Sequence, residues 1–105
     1  MVFIETSFFL KHVYTLLSEE ELATLENILA VQPEIGALIP HGGGLRKVRW
    51  AAKGKGKRGG SRVIYYWAVS NEQILLLYIY GKNERDDLTA DQIRVLRRIV
   101  QEEYP

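Results

Sequence analysis

A chain of 105 residues suffices for one compact domain, expected to span residues 1–105, and at that length only about two-thirds of the unfolded surface can be buried. A hydrophobic share of 47% with 26% charged residues fits a soluble globular protein, no stretch reaches the roughly 18 apolar residues of a membrane span, and the lack of cysteine excludes a disulfide framework and thiolate metal sites. The net charge of +1 conceals a segregation: residues 1–44 carry six acids and one base, whereas residues 45–62 carry eight bases and no acid. Holding so many like charges together costs self-repulsion, which a polyanionic partner offsets.

In chain order, Val2 to Glu5 reads as a strand. Ser7 is placed to cap a helix that turns Phe9, Val13, Leu16 and Leu17 inward. Ser18-Glu-Glu-Glu21 is a capping box, and Leu22, Leu25 and Leu29 then give one apolar stripe, so residues 19–31 form a second helix that Pro33 ends. Residues 33–44, with Pro40 and three glycines, read as a connector. Leu45 to Ala52 reads as a strand, Lys53 to Gly60 as a glycine-rich hairpin loop, and Ser61 to Val69 as a second strand. After a turn at Asn71-Glu72, the unbroken apolar run Ile74 to Tyr80 suits a mid-sheet strand buried on both faces. Thr89-Ala-Asp-Gln92 is another capping box, opening a last helix with Ile93, Leu96 and Val100 on one stripe. The order β-α-α-β-β-β-α implies an α+β fold, a mainly antiparallel four-stranded sheet with helices packed on one face. The beginning of the chain lacks a basic segment followed by a signal-type apolar run, which points to the cytoplasm.

The chemistry-bearing residues concentrate on the hairpin. Side chains alternate across a strand, so Lys47 and Arg49 share one face. Pairing Ala51 with Arg62 sets Arg49 opposite Ile64 and Lys47 opposite Tyr66, which gathers Lys47, Arg49, Arg62 and Tyr66 on one side. Arg62, at the start of its strand, is expected to be solvent-accessible. Cations that meet phosphates beside a ring that stacks a base suit RNA. A plain solvated hairpin with lysines guarding its edge is the alternative. Gly54-Lys-Gly-Lys-Arg-Gly59 matches G-x-G-x-x-G but precedes a strand rather than a helix, which rules out the dinucleotide fingerprint. His12 reads as a surface or packing residue, and His41 has a route to a site through the glycines next to it. Glu84, Asp86 and Asp87, interleaved with Lys82 and Arg85, read as a charged turn, and no metal-ligand set or cofactor motif is visible.

Gly43-Gly-Leu-Arg-Lys-Val-Arg49, Lys53-Gly-Lys-Gly-Lys-Arg-Gly-Gly60, Ser61-Arg-Val-Ile-Tyr-Tyr66 and Ile79-Tyr-Gly-Lys-Asn-Glu-Arg85 resemble the RelE/HigB toxins of bacterial toxin–antitoxin modules. The likeness covers essentially the whole chain, and through the hairpin it is nearest the HigB-type branch. It implies a RelE-like fold and an mRNA endoribonuclease acting on the ribosome to inhibit translation. Lys47 and Arg49 match the family's paired bases on the second strand, Arg62 matches the arginine that opens the third, and Tyr80 to Arg85 match the motif after the fourth. RelE itself has an arginine where Asn83 stands and a tyrosine near Leu88-Thr89, so the inventory after the last strand differs.

The expected reaction is attack by the RNA's own 2′-hydroxyl without a metal, with Arg62, Lys47 and Arg49 stabilising the phosphorane. Lys47, Lys57 and Glu84 are the candidate general bases. Arg46, Lys53, Lys55, Arg58, Tyr66, Lys82, Asn83 and Arg85 complete the expected RNA-binding surface. A non-enzymatic RNA-binding module and a ParE-like gyrase poison are rival readings on the same fold. The implied partners are the ribosome, mRNA and a cognate antitoxin, HigA-like with a helix-turn-helix domain. That antitoxin has two candidate docking surfaces: the basic face, and the last helix with Arg94, Arg97 and Arg98.

Overall fold

The structure, a computed structural model, describes residues 1–50, 60–82, 84 and 87–105. Among these, five strands form one sheet: β1 (Val2–Glu5), β2 (Ala37–Leu38), β3 (Leu45–Trp50), β4 (Ser61–Ala68) and β5 (Gln73–Gly81). Their order is β1-β5-β4-β3-β2, with β1 parallel to β5 and the other pairs antiparallel. Three helices accompany them, α1 (Ser7–Leu16), α2 (Glu19–Val31) and α3 (Ala90–Glu103). The α+β class and the element order agree with the sequence expectation, with a fifth strand, β2, arising inside the connector.

Local chemistry sets the helix boundaries. Both expected capping boxes are present, at Ser18/Glu21 and at Thr89/Gln92. The α1 cap is Thr6 rather than Ser7. Its hydroxyl accepts from Phe9 N–H at 3.2 Å and also donates to the Leu76 carbonyl at 2.9 Å, so this residue ties the helix start to β5. One hydroxyl thereby satisfies an open helix-end donor and fixes how α1 leaves the sheet.

The sheet has a core on each side. Phe9 and Val13 of α1, Leu17 of the link that follows, and Leu22, Leu25 and Leu29 of α2 pack with Val48, Val63, Tyr65, Ile74 and Leu76. Leu96 and Val100 of α3 pack instead with Leu45, Ile64, Leu75, Leu77 and Tyr80. Val63 and Ile64 are strand neighbours and so point to opposite faces. The helices therefore cover both faces, not one as expected: α1 and α2 lie over one side and α3 over the other. Periodicity shows which residues of a helix turn inward, but not which side of the sheet receives them.

The β3–β4 register differs from expectation by two residues. Arg49 pairs with Arg62, Lys47 with Ile64 and Leu45 with Tyr66. A shift of two preserves the faces, so Lys47, Arg49, Arg62 and Tyr66 still lie on the α3 side. Across β4 and β5 the register slips between Ile64 and Tyr65, where Ile64 pairs with Tyr78 and Tyr65 with Leu76. The extra residue is a β-bulge, and it reverses the facing of the β5 residues beyond it. Simple alternation from Ile74 and Leu76 would send Tyr80 into the α1/α2 core. The bulge turns it to the α3 side, directly opposite Arg62.

Candidate functional site

Three neighbouring strands build the site on the α3 side of the sheet. Arg49, Arg62 and Tyr80 form a row across β3, β4 and β5, and Lys47 stands two residues along β3 from Arg49. Arg49 and Arg62 are directly opposed across β3 and β4, which gathers two like charges on one face of the sheet. Arg62 is buried at 6% exposure, whereas Arg49 is exposed. The expectation of a solvent-accessible Arg62 is thus corrected. Its neighbours on β4 and β5, Val63, Ile64, Ile79 and Tyr80, are core residues, so its side chain is enclosed.

A cleft of about 500 Å³ opens on this face of the sheet. Leu38, Ile39 and Pro40 wall it on one side and Leu88 and Ile93 on the other, with Lys47, Arg49 and Tyr80 at the base. That volume lies within the usual range of small-ligand pockets, and apolar walls over a few convergent polar groups are their common construction. The wall at Leu38 exists because β2 pairs with β3, Ala37 against Lys47 and Leu38 against Arg46. Tyr65 anchors the approach to β2: its buried hydroxyl accepts from Gly36 N–H at 2.9 Å and donates to the Pro33 carbonyl at 2.6 Å.

The site holds an acid that the sequence presents as part of a charged turn. Asp87 Oδ1 accepts from Lys47 Nζ at 2.6 Å. This hydrogen bond and the Lys47 charge, with smaller contributions from Arg49 and Arg62, hold the Asp87 carboxyl below its ordinary pKa. Asp87 therefore feels all three cations. Forty residues separate it from Lys47, and spacing alone gives no sign of the contact.

The other expected site residues divide. Arg46 lies on the opposite face from Lys47 and donates to the carbonyls of Glu34 and Gly36, a role in holding the connector. Tyr66 shares the face of the basic row but pairs with Leu45, lies close under Gly44 and stacks obliquely on Tyr104 at 5.8 Å. The aromatic beside the cations is Tyr80 instead. Glu84 is exposed and accepts from Gly81 N–H at 3.0 Å, closing the turn after β5. Lys82 is exposed one residue beyond the Gly81–Ser61 pair, and its backbone N–H donates to Gly60. His12 packs edge-on against Tyr78, in keeping with a packing residue. His41 is exposed with a left-handed φ of 61°, and its carbonyl accepts from Arg97. Lys53, Lys55, Lys57, Arg58, Asn83 and Arg85 lie outside the described residues. Among the described residues, no three His, Cys, Asp or Glu side chains gather as metal ligands would, and no helix is long and apolar enough to cross a membrane.

The family model for the RelE toxin of the RelE/RelB toxin–antitoxin system matches residues 16–104, which takes in α2, β2 to β5, the whole basic row and α3. The chain belongs to the RelE toxin family, the toxin side of a toxin–antitoxin pair.

Proposed function

We propose that residues 1–105 form a single toxin domain of the HigB type that cuts messenger RNA on the ribosome and so halts translation. The observation that carries this reading is the basic row: Lys47 and Arg49 line a cleft, and Arg62 is buried directly opposite Arg49 on the same face of the sheet. A scissile phosphodiester supplies the matching anion. Attack by the 2′-hydroxyl on the adjacent phosphorus forms a cyclic phosphate and expels the 5′-oxygen of the next nucleotide. The pentavalent phosphorus carries more negative charge than the starting diester, so preorganised cations favour it over the substrate. In this reading Arg62, fixed by burial, contacts the phosphoryl oxygens, with Arg49 and Lys47 completing the cradle without a metal. Lys47, Lys57 and Glu84 are the candidate acceptors of the 2′-hydroxyl proton. The apolar walls receive the flanking sugar and base.

So thin an acid–base set relies on orientation of the substrate, which a ribosome holding the message supplies. The proposed setting is the cytoplasm, and the proposed antitoxin is HigA-like. Primer extension on cellular mRNA after brief induction tests the reading. The expected result is new 5′ ends in codon phase inside translated regions, lost with Arg49→Ala. Growth arrest without such ends, accompanied by altered DNA supercoiling, would instead assign the chain to gyrase poisons.

A further inference from the structure

The Lys47–Asp87 contact lies where the proposed substrate must bind. Asp87 reaches Lys47 from the segment between β5 and α3, not from the sheet. Its side chain is 78% exposed, while that of Lys47 is 23% exposed. An exposed carboxylate held by an ion pair at the surface is released at little cost, whereas the ammonium it touches stays in the cleft. The carboxylate lines the same cleft as Lys47 and Arg49 and is acidified by Lys47, Arg49 and Arg62 together. It thus sits in the combined field of the three groups assigned to the phosphate, at hydrogen-bond distance from one of them.

We propose that Asp87 is a built-in surrogate for the substrate phosphate: its carboxylate occupies the anion position at Lys47 in the free toxin and yields that position to the RNA phosphodiester. This rests on the reading of the basic row as an RNA site. A negative group in the cleft neutralises the Lys47 ammonium while the site is empty. It also competes with every phosphate that enters, so apparent affinity falls by the fraction of molecules in which the carboxylate is seated. A loosely held phosphate is turned away, and a message already positioned by a larger assembly displaces the carboxylate. Asp87 is therefore a gate on ground-state binding and takes no part in the bond-making step.

The test measures affinity for a short mixed-sequence 2′-O-methyl oligoribonucleotide, which cannot be cut by its own 2′-oxygen. The proteins are the wild type, Asp87→Asn, Asp87→Glu and Arg49→Ala, each checked by thermal melt. Asp87→Asn keeps the shape and removes the charge, and should tighten binding about two- to fivefold at low salt, the range of an exposed ion pair. The gain should shrink as salt rises and should be smaller in a Lys47→Ala background, where the carboxylate has lost its partner. Asp87→Glu keeps a competing carboxylate and should not tighten binding. Unchanged or weaker affinity of Asp87→Asn, with Arg49→Ala still weakening binding, overturns the surrogate and leaves the RNA site standing. An Arg49→Ala protein that binds as well as wild type overturns the RNA reading itself, and the surrogate with it.

Discussion

Arg49 and Arg62 face each other across β3 and β4, but their surroundings separate catalysis from stability. Arg49 is exposed, so Arg49→Ala should cost activity and leave the melting temperature nearly unchanged. Arg62 is buried, and truncating it removes packed methylenes and leaves its neighbours short of contacts. Arg62→Ala should therefore lower kcat by about 10²- to 10³-fold and also cost about 1–3 kcal/mol of stability. Thermal melts beside single-turnover cleavage of ribosome-bound message check both, and an Arg62→Ala protein as stable as wild type would contradict the burial argument. Away from the site, Glu26 carries a different tension. Its Oε2 is buried without a hydrogen-bond partner among the described residues, and Glu5 is its acidic neighbour. Burial first, then the hydrogen bond and charge of Glu5, push Glu26 from 4.5 up to about 7. Between those values the folded chain keeps a proton that the unfolded chain releases, so stability falls as pH rises through the window and the loss is complete above it. Glu26→Gln should flatten that slope and raise stability above pH 7 by on the order of 1 kcal/mol, discounted for solvent screening of a partly exposed group. Melting temperatures across a pH series give the answer, and a variant that melts below wild type at high pH would refute it.

The cleft depends on β2, a two-residue strand with no signature of its own. Tyr65 in β4 holds the chain leading into it, and burial raises the phenol's pKa, so the hydroxyl stays protonated and able to donate to Pro33. Tyr65→Phe leaves the Gly36 N–H buried without its acceptor and should cost about 1–3 kcal/mol. It should also loosen the Leu38–Pro40 wall, so substrate affinity should drop although no substrate contact is removed. Amide hydrogen exchange at Ala37 and Leu38 should quicken relative to the β4–β5 core, and unchanged protection there would detach β2 from Tyr65. The same dependence explains what could be read in the sequence. Elements fixed by local chemistry are legible: two capping boxes set the starts of α2 and α3, and the apolar run of β5 announces a strand buried on both sides. Features fixed by long-range contact are not. β2 forms because Lys47 and Arg46 offer a partner, the glycine-rich link between β3 and β4 leaves the register unpinned, and the bulge in β5 redirects Tyr80 against simple alternation. For the site, strand parity places Lys47, Arg49 and Arg62 together whichever of the two registers holds. Parity cannot reveal that Arg62 is buried, since arginine is rarely so, nor that Asp87 reaches Lys47 from a distant turn.

At the scale of the whole molecule, charge determines how a polyanion approaches. Residues 45–62 hold eight bases, and the rest of the chain sets six bases against thirteen acids. A nucleic acid is drawn to one region and repelled from the remainder, which orients the encounter before any contact forms. Binding of a single strand releases about 0.7 counterions per phosphate neutralised, so affinity should fall with salt on a logarithmic slope that counts the cations engaged. Lys47, Arg49 and Arg62 alone correspond to a slope of about −2, and adding Lys53, Lys55, Lys57 and Arg58 takes it to about −5. The intact protein should give the steeper value, because all seven lie within the one basic stretch. Replacing Lys53, Lys55 and Arg58 with glutamine, with Lys57 kept as a candidate proton acceptor, should bring the slope near about −3, and Arg49→Gln alone should flatten it by about 0.7. The two changes should affect function differently. The loop variant should lose affinity at physiological salt but keep its rate on ribosome-bound message at saturation, whereas Arg49→Gln should lose rate at saturation as well. Anisotropy titrations of a short oligoribonucleotide over a salt series, together with saturating single-turnover assays, measure both. An affinity indifferent to salt would contradict the charge map, and loss of saturated rate in the loop variant would move the loop from attraction into the chemistry.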